Sequence, residues 1–502
     1  MRFDKIIIVN PPSPPGYVAN RDSMGGFGQL FSEDATIMPP LDVPYLAGYL
    51  ASRDIALDVL EAEGLDLGPE ALAARVAEIA PPGGEVRALV VARTAAPTLD
   101  HDLAVCARMK HATPAVRVAV YGPVVPHVRK RLDRDPDLDY ILQGEPDETV
   151  AELASDRAES EILGLSYRRD GQWVDNAPRA FLKQLDELPF PRWDLLPYRS
   201  YATPRSSTTG DLPFLPMLTS RGCPFGCHYC PYPVGQGIPW RFRSPQNVVD
   251  EIEHLVKDLG IQYILFRDPM FSLRLNRVVG ICDEIKRRSL VFKWKCETRP
   301  DCLDEPTIRA MAEAGCDGIN FGVESAEMEI QEKVGRKAIS REKVVEMTAL
   351  CRRYGIKTFC FFIIGLPGDT VRTILETIGF AVRLNANWIQ FTAATPFIGT
   401  KLRQWAVERG LTGEDDYAYV NSHQANVGNE NLSRAQIERL HRFAKIFERF
   451  LLNRGGILKD QNRRDLWYRS ARTLADAVAA SSARLLFAMG RNHFERAYAQ
   501  GS

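Results

Sequence analysis

The sequence predicts an α/β protein made of two successive βα repeats followed by a helical segment. Two observations carry this reading. Short apolar runs of strand length alternate with segments of helical apolar spacing, first over residues 1–155 and again over 213–412. The strand runs are apolar throughout rather than alternating, as in parallel strands covered on both faces. Residues 156–212 read as a linker, and residues 413–502 as a helical C-terminal domain.

In the first repeat, Lys5–Val9 is a compact apolar strand ending in Asn10-Pro11-Pro12, and a helix begins over Pro44–Leu50. Leu57–Leu60, Ala88–Ala92, Val116–Tyr121 and Tyr140–Leu142 are the further strands. Pro69–Ile79 and Leu103–Lys110 are helical. Ligands on such sheets bind beyond the carboxyl ends of the strands. In the linker, Leu163–Val174 reads as a hairpin turning at Asp170-Gly171, and the prolines from Leu188 to Pro197 favour extended chain. The second repeat offers strands at Tyr263–Arg267, Phe292–Glu297, Gly318–Val323, Thr358–Ile364 and Trp388–Ala393. Its helices are Gln246–Lys257, Arg277–Arg288, Glu305–Ala314, Arg341–Tyr354 and Thr370–Leu384, so a full or partial barrel is expected. The last segment has helical spacing over Leu432–Leu452 and Asp465–Phe487. Its basic residues (Arg463, Arg464, Arg469, Arg472, Arg484, Arg491 and Arg496) read as a solvated helical face.

Composition excludes several classes. The 502 residues hold 63 Lys plus Arg against 64 Asp plus Glu, a net charge of -1, so no basic excess points to nucleic acid or an anionic membrane. With 45% apolar and 25% charged residues the chain is ordinary for a soluble globular protein. No run approaches the roughly 20 apolar residues of a membrane helix, and the N-terminus reads as a first strand rather than a signal peptide. Ten cysteines without a secretion signal make a reducing cytoplasm the expectation.

The strongest chemical signal is Arg221-Gly-Cys223-Pro-Phe-Gly-Cys227-His-Tyr-Cys230-Pro, directly after the apolar Leu215–Leu218. A tight Gly/Pro loop can aim three thiolates at one point. Three are too few to close a four-iron cluster, so one iron would stay open. A zinc site would need a fourth ligand, for which His228 is the formal candidate. The other seven cysteines, at 106, 282, 296, 302, 316, 351 and 360, lack cluster spacing and read as packing residues.

This Cys-x3-Cys-x2-Cys motif, with an aromatic residue before its last cysteine, resembles the signature of radical S-adenosylmethionine (SAM) enzymes. The resemblance implies a [4Fe-4S] cluster on Cys223, Cys227 and Cys230, whose open iron is chelated by SAM. Further segments are similar to the family's strand ends: Tyr263–Phe271 with Asp268, Trp294–Arg299 with Glu297 and Arg299, and Ala314–Ser325 with Glu324 and Ser325. Arg336 matches a basic residue that can pair with the SAM carboxylate. Cys360–Asp369, with Gly365 and Pro367, is similar to the loop that passes close to the adenine. An external electron donor such as flavodoxin or ferredoxin is implied as a partner.

The N-terminal half resembles the cobalamin-binding domain fused ahead of many such enzymes. Asn10-Pro11-Pro12, Met38–Leu50, Asp139–Thr149 and Gln184–Arg192 carry this likeness. The implied architecture is a Rossmann-like (flavodoxin-like) cobalamin-binding domain, a partial (β/α)6 radical SAM barrel and a helical C-terminal extension. Pro11, Arg93, Thr94, Tyr121, Gly122, Gly144 and Glu145 are the implied corrin-facing residues. His101, His111 and His127 sit in no Asp-x-His-x-x-Gly motif, so a protein histidine on the lower face of cobalt is not expected. Arg93 is expected to approach that face and resist an axial ligand.

The activity implied is methylation of an unactivated carbon or phosphorus centre of a small molecule, through methylcobalamin and a 5′-deoxyadenosyl radical. Ring formation, ring contraction or oxygen insertion on the same machinery, without methyl transfer, is the alternative. A non-catalytic cobalamin and Fe-S sensor is a third, disfavoured because no recognisable output domain follows residue 412. His423, Trp467 and Tyr468 could line a substrate pocket or belong to a core.

Overall fold

The computed structural model describes residues 2–453, except 33–34, 36, 82–85, 202–211 and 418–422. The expected helix Asp465–Phe487, the tail arginines, Trp467 and Tyr468 therefore lie outside the described residues.

The first sheet contains β1 (Lys5–Asn10), β2 (Leu57–Glu61), β3 (Ala88–Arg93), β4 (Arg117–Tyr121) and β5 (Tyr140–Leu142). The order β2-β1-β3-β4-β5 is parallel throughout, with Ile8 opposite Val59 and Val91, and Val120 opposite Ile141. This is the flavodoxin-like order, and the direction of winding switches between β1 and β3. Every residue of β3 is buried, which is why its sequence reads as one apolar run. Helices α1 (Asp42–Ala51), α2 (Pro69–Ile79), α3 (Leu99–Ala112) and α4 (Pro146–Ala154) connect the strands. Leu72 and Val76 of α2 and Leu103 and Met109 of α3 share one core with Val90 and Val118 of the sheet.

The linker hairpin forms as read, as β6 (Leu165–Arg169) and β7 (Gln172–Asp175). Asp170 and Gly171 take φ of 51° and 78°, as a two-residue type I′ turn requires. The sequence left this hairpin outside both repeats. The structure adds it antiparallel to the edge of the first sheet, with Ile141 opposite Ser166. An antiparallel pair, Tyr17–Asn20 with Gln29–Ser32, had no alternating pattern to announce it.

The second sheet runs in chain order: β8 (Phe214–Met217), β9 (Tyr263–Phe266), β10 (Lys293–Thr298), β11 (Cys316–Glu324), β12 (Lys357–Ile364) and β13 (Trp388–Ala393). It is an open sheet rather than a closed barrel. Helices α5 (Pro245–Lys257), α6 (Leu275–Arg287), α7 (Glu305–Glu313), α8 (Arg341–Arg353) and α9 (Val371–Arg383) alternate with the strands. Their starts are capped by side chains: Ser244 accepts from the Asn247 N–H, Ser340 from that of Lys343, and Thr370 forms a reciprocal box with Thr373.

Internal contacts divide the chain into two compact units. The first comprises residues 1–298, 306–318 and 395–421, and the second 299–305, 319–394 and 422–502. Strand β11 begins in one and ends in the other. In the first unit, the segment after β13 forms α10 (Lys401–Glu408) and returns to the N-terminal core, where Phe397 and Ile398 are buried. In the second, α11 (Arg434–Asn453) covers β13 through His441 Nε2 and Glu448, which bond the Phe391 carbonyl and N–H at 3.1 and 2.9 Å.

Candidate functional site

The first unit holds a cavity at the carboxyl ends of β3 and β4. Its wall combines two sequence regions. From the first repeat come Asp22, Gly25, Gly26, Asp42, Tyr45, Arg93, Tyr121, Gly122, Gly144, Glu145 and Asp147; from the second come Leu218, Arg221, Gly235 and Gln236. The last three flank the cysteine loop on either side.

Glycines shape the wall. Gly122 has φ of 143°, and a Cβ there would lie 2.4 Å from the Thr94 carbonyl oxygen and 2.6 Å from Arg93 Nη1. By contrast, the Gly144 Cβ direction faces open space, at φ of 79°.

Arg93 is 1% exposed and held on every side. It donates to the carbonyls of Arg21 (2.8 Å), Gly26 (3.0 Å) and Thr94, pairs through Nε with Asp42, and lies 3.6 Å from Asp22. Burial pushes Asp22 up to about 7, and the adjacent Asp42 carboxylate adds to this against the Arg93 charge. Glu145 receives Arg221 at 3.1 Å, Arg241 at 2.9 Å and the Leu182 N–H at 2.8 Å. Burial acts to raise its carboxyl, but the two guanidiniums prevail and the net shift is downward. Burial keeps the neighbouring Asp147 raised.

Of the expected corrin-facing residues, Arg93, Tyr121, Gly122, Gly144 and Glu145 line this cavity. Pro11 and Thr94 serve its frame instead. The Pro11 carbonyl accepts from Arg21, whose guanidinium pairs with the buried Asp102 at 2.6 Å. Thr94 bonds the Tyr121 carbonyl through both its N–H and its hydroxyl, tying β3 to β4. Asp22, Asp42, Tyr45, Asp147 and Arg221 were not singled out from sequence. Asp42 and Tyr45 lie inside the Met38–Leu50 motif and could have been found there.

Cys223 is buried, and Cys227 and Cys230 are partly exposed. The Cys223 N–H bonds the Gly237 carbonyl, the Cys230 N–H bonds that of Cys227, and α10 reaches back as the Leu402 N–H bonds the His228 carbonyl at 2.9 Å. Gly222, at φ of 83°, leaves no room for a Cβ, which would meet the Pro239 oxygen at 2.5 Å. Among the described residues no three His, Cys, Asp or Glu side chains converge at single-ion distance.

Asp268 is fully buried at the end of β9. It accepts from the Thr219 N–H at 2.8 Å, the Thr219 hydroxyl at 3.0 Å, the Ser220 hydroxyl at 2.8 Å and the Ser220 N–H. It thereby anchors the chain that enters the cysteine loop. Glu297 accepts from Arg267 Nη1 at 2.6 Å.

In the second unit, Glu324 ends β11 with φ of 70°, a left-handed conformation that costs a non-glycine residue free energy. Its Oε1 lies 3.7 Å from Arg336 Nη1, and Arg336 Nη2 donates to the Gly322 carbonyl at 2.5 Å. Ser325 is buried and receives the Glu327 N–H at 3.1 Å. Arg299 pairs with Asp301 at 2.9 Å and donates to the Lys337 carbonyl at 2.8 Å. In the loop holding Gly365 and the buried Pro367, Asp369 accepts the N–H groups of Gly365 and Leu366, both at 3.0 Å. Burial pushes Asp369 up to about 7. A Cβ on Gly365 would lie 2.6 Å from Ile437 Cγ2, so this glycine admits α11.

Comparison with known proteins agrees with this arrangement. Residues 217–381 match the radical SAM superfamily. An uncharacterized methyltransferase of Pyrococcus horikoshii is 32% identical over 419 residues, 82% of this chain and 85% of that protein. An anaerobic magnesium-protoporphyrin IX monomethyl ester cyclase of Rubrivivax gelatinosus is 26% identical, over 72% of this chain and 65% of its own. The fold is similar to that of TsrM of Kitasatospora setae, a radical SAM methyltransferase solved with cobalamin and a [4Fe-4S] cluster, with a TM-score of 0.62, 20% identity, and coverage of 81% of this chain and 75% of that one.

Proposed function

This chain belongs to the cobalamin-binding-domain branch of the radical SAM superfamily, and from that premise we propose that it is a methyltransferase acting on an unactivated carbon or phosphorus centre of a small-molecule biosynthetic intermediate. The observation that carries the reading is the cavity walled jointly by the strand ends of a flavodoxin-like sheet and by the flanks of a three-cysteine loop.

The residues fit the three cofactors. The cysteine loop offers three thiolates, the number that would leave one iron of a four-iron cluster open. The cavity has a glycine-lined wall and buried polar atoms without a protein partner, Tyr121 Oη and Asp42 Oδ1. When bound, the cluster, SAM and cobalamin supply reductive SAM cleavage and methyl transfer.

The chain's own part is to hold, orient and exclude water. Cys223, Cys227 and Cys230 would ligate the cluster. Glu324, Ser325 and Arg336 would receive the amino and carboxylate groups of SAM, with Gly365 and Pro367 beside its adenine. Asp268 and Arg299 act by fixing loops, and Glu297 by fixing Arg267. Arg93, Tyr121, Gly122, Gly144 and Glu145 would face the corrin. Arg93 does so while engaged by Asp42 and three carbonyls, so its task is to hold the wall. Domains at 1–155, 213–412 and 413–502, a cytoplasmic setting and a flavodoxin or ferredoxin donor belong to the same proposal. Among the described residues no helix is long and apolar enough to cross a membrane.

The test is anaerobic reconstitution with iron, sulfide and hydroxocobalamin, then SAM and a low-potential reductant without substrate. S-adenosylhomocysteine together with a methylated corrinoid supports methyl transfer. Deoxyadenosine with an unmethylated corrinoid would favour ring modification, the activity of the cyclase relative. Cys227→Ala is expected to lose the cluster absorbance and deoxyadenosine formation together.

A further inference from the structure

Two oxygen atoms of the cavity wall stand out. Tyr121 is 1% exposed, yet its Oη has no hydrogen-bond partner among the described residues. Asp42 gives one carboxylate oxygen to Arg93 Nε, while its buried Oδ1 has none. Both residues line the same cavity, and the Arg93 guanidinium that holds Asp42 also lies over the Tyr121 ring, 5.7 Å from its centroid. Arg93 leaves neither atom a donor, since its Nη groups are taken by the carbonyls of Thr94, Arg21 and Gly26. Leaving a buried donor or acceptor without a partner is unfavourable. Two in one cavity imply a ligand that completes both.

The pair is complementary in a definite way. Burial, and then the Asp42 charge, hold the Tyr121 phenol well above its ordinary value, so it remains a donor. Asp42 Oδ1 can only accept while ionised. A group that accepts at one atom and donates at the next is a primary carboxamide. A carboxylate in its place would set two anions face to face.

Resting on the cobalamin reading above, we propose that Tyr121 and Asp42 clamp one primary carboxamide on the corrin periphery, the phenol donating to its oxygen and Asp42 accepting from its nitrogen. The site therefore selects amidated corrinoids over those with a free acid at that position.

Binding to the full-length, cluster-reconstituted protein tests this without turnover. Hydroxocobalamin and its separate monocarboxylic acid derivatives are titrated by the change in corrin absorbance. The wild-type protein is expected to bind one derivative at least about tenfold more weakly than hydroxocobalamin, and Tyr121→Phe to weaken hydroxocobalamin binding about tenfold, the scale of one buried hydrogen bond. Asp42→Asn is expected to narrow the discrimination against that same derivative. Circular dichroism and cluster absorbance establish that each variant is folded, and the derivative series on the wild-type protein stands without any variant. Unaltered affinity in Tyr121→Phe, or equal binding of all derivatives, overturns the clamp while leaving the cobalamin reading intact. Failure of the wild-type protein to bind hydroxocobalamin overturns both.

Discussion

Asp268→Ala separates two roles that the sequence could not. The family resemblance set Asp268 toward SAM, whereas in the fold its carboxylate accepts four hydrogen bonds from Thr219 and Ser220 at the root of the cysteine loop. Each is worth about 1 kcal/mol net, which sums to on the order of 4 kcal/mol, and losing the acidic partner of buried groups costs about 3–5 kcal/mol. Removal also takes away the carboxylate whose charge acts most strongly on Arg277, which burial already holds down at about 10 and which itself donates to the Thr219 carbonyl at 2.7 Å. The variant should therefore lose on the order of 4 kcal/mol in urea unfolding of the first unit. Iron and sulfide content after reconstitution should fall with it, because the loop entry is no longer fixed. A variant with wild-type stability and full cluster content, but weakened SAM binding, would refute this reasoning and return Asp268 to a direct contact.

Other outcomes follow from single positions. Gly122→Ala forces a Cβ to within 2.4 Å of the Thr94 oxygen at a φ of 143°, so hydroxocobalamin affinity, read by absorbance titration, should drop by roughly an order of magnitude or more. Asp22, at about 7 when folded against an ordinary 3.8, holds its proton more tightly in the fold. Its stabilising effect is complete below the ordinary value and is lost as pH rises to about 7. Asp22→Asn should remove that slope from denaturation curves between pH 4 and 7 by the same linkage, and an unchanged slope would exclude Asp22 as its source. Gly365→Ala, at a φ of 88° and 2.6 Å from Ile437, should destabilise the second unit by about 1–3 kcal/mol, visible as faster amide exchange in α11.

Much of the fold was legible because parallel strands buried on both faces leave an unmistakable record. Tyr140–Leu142, buried at every position, falls where its apolar run places it, and the helix Pro69–Ile79 and the alternately buried strand Trp388–Ala393 also fall where expected. Short antiparallel pairs such as Tyr17–Asn20 with Gln29–Ser32 are only partly buried, so nothing forces alternation upon them. Helix α10 was missed for a related reason: it is one short element whose Leu402 and Ala406 face inward, too few to set a period.

The Cys-x3-Cys-x2-Cys spacing was legible in the sequence, because a pattern local to the chain survives without coordinates. So were the glycines at strand ends, because left-handed backbone angles favour glycine. The partnering of charges was not. That Asp268 turns to Thr219 and Ser220, that Arg93 is enclosed by carbonyls and Asp42, and that Tyr121 and Asp42 each keep one atom unsatisfied are consequences of residues far apart in sequence meeting in space. Hydrogen bonds are directional and act over a few ångströms, so only the tertiary structure could assign them.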